Sequence, residues 1–393
     1  MHKPYYPFKK IGSISSLAKA LNVDDKVLLS IAANAESSYT AFVIESKNGK
    51  YRDVYEPKFL LKSIQKRINS QIFEKVKYPT YLQGGIRDLS DSRDYVRNAS
   101  IHAGANTLVS LDIKDFYNSI KKDKVFDIYK LFFQFPDDVA NVLTELTTLR
   151  GRVPQGACTS SYVANLIFAQ SEYLVKSSLE RKGVQYTRLL DDVTLSSNKI
   201  LDSKVLDEAI SAVVKLFKSY GLRQNRSKKK VEFSHYKHKD YSVTGLWVGH
   251  GTPKLTKSER RYIRQLVFEC EKQYRLDRTS DDYHSLWNRA SGKVAKMKHL
   301  GHAKSAEYRD RLAKILPCYS IEQSANLTFQ VKKFVSKVAK NGYRDQSRAR
   351  DRYYFLKHRT GICSRNNKSL AKSLNLQLKS VGHLIKTKEE LWS

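Results

Sequence analysis

The sequence predicts an α+β protein, and three observations predict it. Short apolar segments with strand character enclose carboxylates at VSLDIKDFYNSI and TRLLDDVTLSS. A hairpin pattern follows at Tyr241-Ser-Val-Thr-Gly-Leu-Trp-Val-Gly249. Beyond it, residues 256 to 316 read as helices, with Tyr262, Ile263, Leu266, Val267 and Cys270 recurring at helical spacing. Beyond Gly249 the chain changes character.

The elements justify themselves in order. Asn48-Gly49 is a hairpin turn that carries Lys50 and Arg52. Asn98 and His102 lie four apart on an expected helical turn, where they could brace one another. Val109, Leu111 and Ile113 then alternate with Ser110, Asp112 and Lys114, as in a half-buried strand. Pro154-Gln155-Gly156 is a turn signal, and Thr159 or Ser160 can cap the apolar helix through Ala164, Leu166, Ile167 and Phe168. Adjacent acids between apolar runs, Asp191 and Asp192, suit a tight hairpin that thrusts charge out of a sheet. A helix over Ala209–Tyr220 ends at Gly221, and Leu300-Gly301-His302 breaks the later helical stretch.

Asp112 and the Asp191–Asp192 pair, 79 residues apart, form the constellation with chemistry in it. Carboxylates on two strands at one sheet surface could hold two Mg²⁺ ions, which take one or two carboxylates and complete their shell with water and phosphates. Two such ions clamp the attacking and leaving oxygens of phosphoryl transfer.

Taken in order, these segments resemble the palm motifs of reverse transcriptases. Asp112, Pro-Gln-Gly-Ala-x-Thr-Ser at 154, Asp191-Asp192, Gly-Leu-x-x-Asn-x-x-Lys at 221 and Val-Thr-Gly-Leu at 243 follow one another as in that family. Within it, Asn98-Ala-Ser-Ile-His102 and Val243-Thr244-Gly245 are similar to the Asn-Ala-x-x-His and Val-Thr-Gly elements of the retron enzymes, and the likeness spans roughly residues 14 to 320. Defence-associated and abortive-infection reverse transcriptases, which act without a retron RNA, share much of this pattern and stand as the alternative. A maturase reading has no endonuclease region to support it, and the intact acids oppose a non-enzymatic RNA scaffold.

The resemblance implies a right-hand polymerase fold. It has a helical leader (1–45), fingers and palm (46–249), a thumb (250–320) and a basic helical C-terminal extension (321–393). It also implies site roles. Asp112, Asp191 and Asp192 would be catalytic; the two Mg²⁺ ions would take Asp112 and Asp191 first, Asp192 more weakly, and the Ile113 carbonyl. Tyr117 would be the gate against ribose, Gln155 and Gly156 would line the nucleotide pocket, and Lys50 and Arg52 would grip the triphosphate. Lys228 would assist pyrophosphate departure, while Asn98, His102, Val243, Thr244 and Gly245 would position RNA. The partners implied are dNTPs, a structured non-coding RNA that is template and primer, an RNA–DNA hybrid product kept for anti-phage defence, and a possible separate effector protein. The chain departs from the family at Leu189-Leu190, where Tyr-Ala is usual, and at Cys158 and Ser161, where prolines are usual.

Composition agrees. Lys and Arg total 71 against 39 acids, a formal charge of +32, which draws polyanions. The excess concentrates late: residues 251–393 hold 32 basic and 13 acidic side chains, and 323–388 hold 16 and two, with Phe334, Tyr343, Tyr353, Tyr354 and Phe355 interspersed. Basic and aromatic residues together suit backbone contact with base stacking. Four cysteines without Cys-x-x-Cys spacing argue against a zinc ribbon or disulfide framework. No apolar signal core opens the chain and no run reaches transmembrane length, so a cytoplasmic protein with no membrane partner is expected.

Overall fold

A computed structural model describes residues 3–45, 49, 51–88, 90–234, 241–341 and 345–392. The chain falls into two compact units, Met1–Pro253 and Lys254–Ser393. In the first, β1 (Tyr39–Glu45) and β2 (Tyr51–Pro57) form an antiparallel hairpin whose first strand is exposed beyond Tyr39. The central sheet is antiparallel and four-stranded, in the order β4-β5-β3-β6, with β3 at Thr107–Asp112, β4 at Gln185–Leu189, β5 at Asp192–Ser197 and β6 at Lys230–Phe233. A small hairpin, β7 (Ser242–Val243) and β8 (Leu246–Trp247), follows.

Register explains why this sheet has two unlike faces. Val109 pairs with Leu195, Leu111 with Val193, Tyr186 with Leu195 and Arg188 with Val193, so these side chains share one face. Val109, Leu111, Tyr186, Val193 and Leu195 enter a core that also holds Val163, Phe168, Val213 and Phe217 from the surrounding helices. Asp112 pairs with Asp192, Ser110 with Thr194, and Thr187 with Thr194, which gathers the polar residues on the opposite face. The alternation read in the sequence is therefore a true sidedness. Its expected half-exposure is not found: every β3 position except Ser110 is buried. The polar face is covered as well, in part by His102, which follows the helix Tyr95–Ile101.

Two helix boundaries differ from expectation. The helix read from Ala209 begins at Ser203, because the Asp202 carboxylate accepts from Val205 N at 2.9 Å and caps it. The helix after the Gln-Gly turn spans only Ser160–Leu166, and neither hydroxyl caps it. Thr159 makes no cap bond, and Ser160 Oγ donates instead to the Pro154 carbonyl at 2.5 Å.

The second unit is helical throughout its described residues: Lys257–Leu276, Asp281–His299, Ser305–Lys314, Ile321–Asn341, Gln346–Cys363, Lys368–Ser380 and Lys388–Trp392. Gly301, in left-handed conformation at φ +65°, makes the break read at 300–302. The last stretch does not stand apart from the residues before it. Arg365 Nη1 donates to the Pro317 carbonyl at 2.6 Å, Asn366 Nδ2 to Tyr319 O at 2.7 Å, and Gln323 Nε2 to Thr279 O at 3.0 Å. Tyr319 lies in one core with Leu327, Val331, Phe334, Tyr353 and Leu356. All four cysteines are free, and no helix among the described residues is long and apolar enough to cross a membrane.

Candidate active site

The hairpin between β4 and β5 puts the carboxylates together. Leu189 pairs with Asp192, leaving Leu190 and Asp191 as a two-residue turn. Leu190 sits at φ +58°, a conformation that costs a leucine about 1–2 kcal/mol. Asp192 lies across from Asp112, the last residue of β3. Ile113 N donates to the Asp191 carbonyl at 3.0 Å, which locks the turn to the end of β3. Asn225 N donates to the Asp112 carbonyl at 2.7 Å and brings Lys228 over the site, where its Nζ meets Asp112 Oδ2 at 2.6 Å.

Electrostatics report the crowding. Withdrawal from water, with repulsion from Asp191 and Asp112 added, pushes Asp192 up to about 7, against relief from Lys228. Burial, then the Asp112 charge, raises Asp191 as well, and Lys228 and Arg52 act the other way. An all-oxygen set of three carboxylates, only partly offset by Lys228, fits a hard divalent cation such as Mg²⁺. Among the described residues no three candidate ligands already stand together as a metal cluster, and the Lys228 ammonium supplies positive charge at Asp112.

Several expected neighbours converge here. Tyr117, on the turn Phe116–Ser119, is half-buried; burial raises its hydroxyl, which bonds to Ser161 and feels Asp191. Arg52 lies on β2 opposite Ile44 and is close enough to bias Asp191. The Gln155 carbonyl accepts from Tyr55 N at 2.8 Å. Gly156, at φ +105°, leaves a place where a Cβ would come within 2.6 Å of Val54. Its lack of a side chain thus serves close approach to β2, and the Gln-Gly turn and the hairpin are built as one piece. Lys50 lies outside the described residues.

For Asn98 and His102 the structure favours the bracing role over RNA positioning. Both are wholly buried, so neither side chain can reach RNA as expected. His102 Nδ1 bonds to Ser196 Oγ and Nε2 to Thr187 Oγ1, each at 2.7 Å, and Thr187 Oγ1 donates to Asn98 Oδ1 at 2.6 Å. Burial pulls His102 down to about 3, so it is a neutral brace on the polar face that also carries Asp112 and Asp192. Val243 is buried too, with no surface for RNA. Thr244 and Gly245, at φ +50° and +77°, form the β7–β8 turn, and Thr244 Oγ1 ties it to the Tyr95 carbonyl at 2.9 Å. These two line a cavity of about 340 Å³ together with Asp112, Asp192, Ser227 and Lys228. They can therefore meet a ligand held at the acids.

One determinant escaped the sequence reading. Arg188, fully buried on the apolar face, spends all five N–H groups. Its Nε and Nη2 bind the two Glu172 oxygens at 2.5 and 2.8 Å, and Nη2 also reaches Asn165 O at 2.9 Å. Its Nη1 reaches Ala164 O at 3.1 Å and Leu190 O at 3.2 Å. The strained turn beside the acids is thus tethered to the helix Ser160–Leu166. An arginine on the same face of β4 as Tyr186 was the available signal. Leu189 and Leu190 pack on Gly84 and Gly85, where a Cβ would approach Leu189 Cγ to 2.8 Å and Leu190 Cδ2 to 3.1 Å. The paired leucines therefore have a matching glycine shelf.

Comparison with known proteins agrees with this geometry. Residues 44–301 match the family model described as reverse transcriptase (RNA-dependent DNA polymerase). The chain is 44% identical to the retron Se72 reverse transcriptase of Salmonella heidelberg (strain 579083-10), over 95% of this chain and 97% of that one. It is 30% identical to the retron Ec48 reverse transcriptase of Escherichia coli, over 84% and 83%. A solved telomerase from Candida albicans, in complex with a fragment of telomeric RNA, aligns over 86% of this chain and 65% of its own at 12% identity. Its TM-score of 0.38 is too low to carry an argument.

Proposed function

Because this chain belongs to the reverse transcriptase family and is an RNA-directed DNA polymerase of the retron type, we propose that it copies part of a bound, structured non-coding RNA into a small DNA that stays linked to that RNA, in anti-phage defence. The single observation that supports the chemistry is the register that sets Asp112 opposite Asp192, with Asp191 in the adjoining turn. In this reading β1–β2 belongs to the fingers, so the helical leader expected over 1–45 ends before Tyr39; the four-stranded sheet belongs to the palm, residues 250–320 to the thumb, and the stretch from 321 to the extension.

Two Mg²⁺ ions held by Asp112, Asp191 and Asp192, with the Ile113 carbonyl in reach, would supply positive charge for the attacking hydroxyl, the triphosphate and the leaving pyrophosphate. The chain's own groups do the rest. Lys228 and Arg52 bring cationic charge to the phosphates, and Lys228 is placed to leave Asp112 for pyrophosphate. Tyr117, fixed by its bond to Ser161, presents a ring that a ribose 2′-hydroxyl would strike. Gln155 and Gly156, joined to β2, would line the nucleotide pocket. Thr244 and Gly245, across the cavity, suit the end of the growing strand or its RNA.

In the second unit the cations suit an RNA backbone. Lys257, Arg260, Arg261 and Arg264 repeat at one-face helical spacing beside His302 and Lys304. In the extension, Arg352 and Arg359 lie over Phe355 at 5.3 and 5.6 Å, and Arg350 over Tyr354 at 4.9 Å, with both rings about half exposed. Phe334 and Tyr353 are core residues instead, and Tyr343 lies outside the described residues. Guanidinium-flanked exposed rings support base stacking.

Sequencing the nucleic acid that copurifies with the protein tests the whole reading. A short DNA joined to RNA through a 2′–5′ branch is expected. A free or protein-linked DNA would replace this reading with the defence-associated enzyme that needs no retron RNA.

A further inference from the structure

The arm Lys3–Lys10 has no task in the polymerase reading, yet it is firmly placed. Tyr5 N donates to Lys77 O at 3.2 Å, and Lys77 N returns a bond to Tyr5 O at 2.9 Å. Tyr6 turns inward, edge-on to Phe133 with ring centroids 5.1 Å apart and to Phe135 at 6.2 Å. Tyr5 is 43% exposed and Phe8 56%, as is Leu131 at 56%; Phe8 rests against the Tyr6 ring at 5.7 Å and keeps its other face open. Neighbours in an extended chain point to opposite sides. Tyr6 is therefore the anchor, and Tyr5 is left to solvent.

A cavity of about 500 Å³ opens beside these rings, between the arm and the segment Leu131–Gln134. Its wall includes a π-helical turn, Ile128–Phe132, and then Gln134 at φ +57°. Such turns recur at functional sites. The charge of the lining is one-sided, with Lys3, Lys9 and Lys10 and no carboxylate. Among the described residues these three ammonium groups have no acidic partner, and Lys3 instead lies 5.9 Å from the centre of the Tyr173 ring. Unpaired like charges beside exposed planar rings suit a ligand with regularly spaced anions and free aromatic faces. An acidic peptide would meet the lysines and leave the rings without partners. A duplex hides its bases in the stack.

We propose that the cleft between Lys3–Lys10 and Leu131–Gln134 seats a single-stranded RNA segment, with bases stacked on Tyr5 and Phe8 and phosphates on Lys3, Lys9 and Lys10. RNA is the fitting strand because the enzyme holds RNA before any DNA exists. Gln134 and Gln170 also bring amides to the cleft that a 2′-hydroxyl can use. The site lies outside the catalytic cavity and extends the hold on template RNA beyond the residues given that role above.

The test uses the full-length protein and an oligouridylate carrying one 4-thiouridine. Irradiation should crosslink it to the peptide holding Tyr5 and Phe8. Tyr5→Ala with Phe8→Ala should remove that crosslink and weaken oligouridylate binding about tenfold; Tyr6 is kept so that the arm stays anchored. Lys3→Gln, Lys9→Gln and Lys10→Gln together should lower the slope of log affinity against log salt by about 2. Extension of a short primed template should stay at the wild-type rate in both variants. Crosslinks confined to other peptides, an unchanged salt slope, or preferred binding of oligo(dT) at the arm would overturn the proposal. The choice of RNA rests on the functional reading above, but the readout is binding, so an inactive wild-type polymerase would sink that reading while absence of the arm crosslink would sink this one.

Discussion

Replacing Arg188 by methionine removes five hydrogen bonds while nearly keeping the side-chain volume. The Glu172 carboxylate is then stranded in the core, with the Tyr186 hydroxyl at 2.7 Å as its remaining described partner. Breaking one side of a buried ion pair costs about 3–5 kcal/mol, a large part of the roughly 5–15 kcal/mol that holds a typical domain together. Adding Glu172→Gln removes the stranded charge and should restore about half of the loss. Activity should behave differently. In both variants the Leu190 carbonyl loses its tether, the strained turn is free to relax, and the acids lose their alignment. We expect primer extension to fall at least about tenfold, equivalent to ~1.4 kcal/mol in the barrier, and to stay low in the double variant. Unfolding in urea can be followed through Trp247, the one tryptophan of Met1–Pro253, in a Trp287→Phe/Trp392→Phe background. Activity should be measured where every variant is folded. If extension recovers in step with stability in the double variant, Arg188 serves the core alone and its positioning role is refuted.

Four further outcomes follow from the site and the second unit. Asp191→Asn with Asp192→Asn should abolish DNA synthesis and leave RNA binding intact in a filter assay; appreciable residual synthesis would show the acids to be misassigned. Tyr117→Ala should raise the rNTP:dNTP ratio of catalytic efficiencies, whereas an unchanged ratio would make the ring a packing residue. His102 is held neutral, its pKa near 3 against 6.5 for an ordinary histidine, so the stability it confers is present above pH 6.5 and lost as pH falls toward 3. Linkage gives about 1.4 kcal/mol of loss by pH 5.5, and His102→Gln should be flatter by that amount in urea titrations at pH 7.5 and 5.5. Phe355→Ala with Arg352→Gln and Arg359→Gln should weaken binding of the copurifying RNA and flatten its salt dependence. Truncation near residue 320 would break the shared core around Tyr319, and Arg359→Gln itself removes a 2.9 Å bond to the Tyr319 hydroxyl, so Phe355→Ala with Arg352→Gln alone is the cleaner control.

What was legible in the sequence is what chain order encodes locally. The Asp191–Asp192 hairpin, the Thr244–Gly245 turn and the break at Gly301 each depend on a few adjacent residues, and each is found where the pattern put it. The pairing of Asp112 with Asp192, 80 residues on, was legible only because both strands announce their ends with acids. What failed to show is what register creates. The role of His102 stayed open between a brace and an RNA contact because its partners, Thr187 and Ser196, are 85 and 94 residues away and become neighbours only when β4 pairs with β5. Glu172 and Arg188 carry no motif at their spacing of 16, and a buried charge is visible only once its surroundings are. The leucines at 189 and 190 read in the sequence only as a departure from the usual Tyr-Ala. Beside Gly84 and Gly85 they are one half of a fitted contact, and the glycines on the other half gave no periodic signal. The acids are thus set by local sequence, but their rigidity comes from long-range partners on both faces of the sheet. A change at His102 or Arg188 should therefore alter the site without touching any residue that a motif would name.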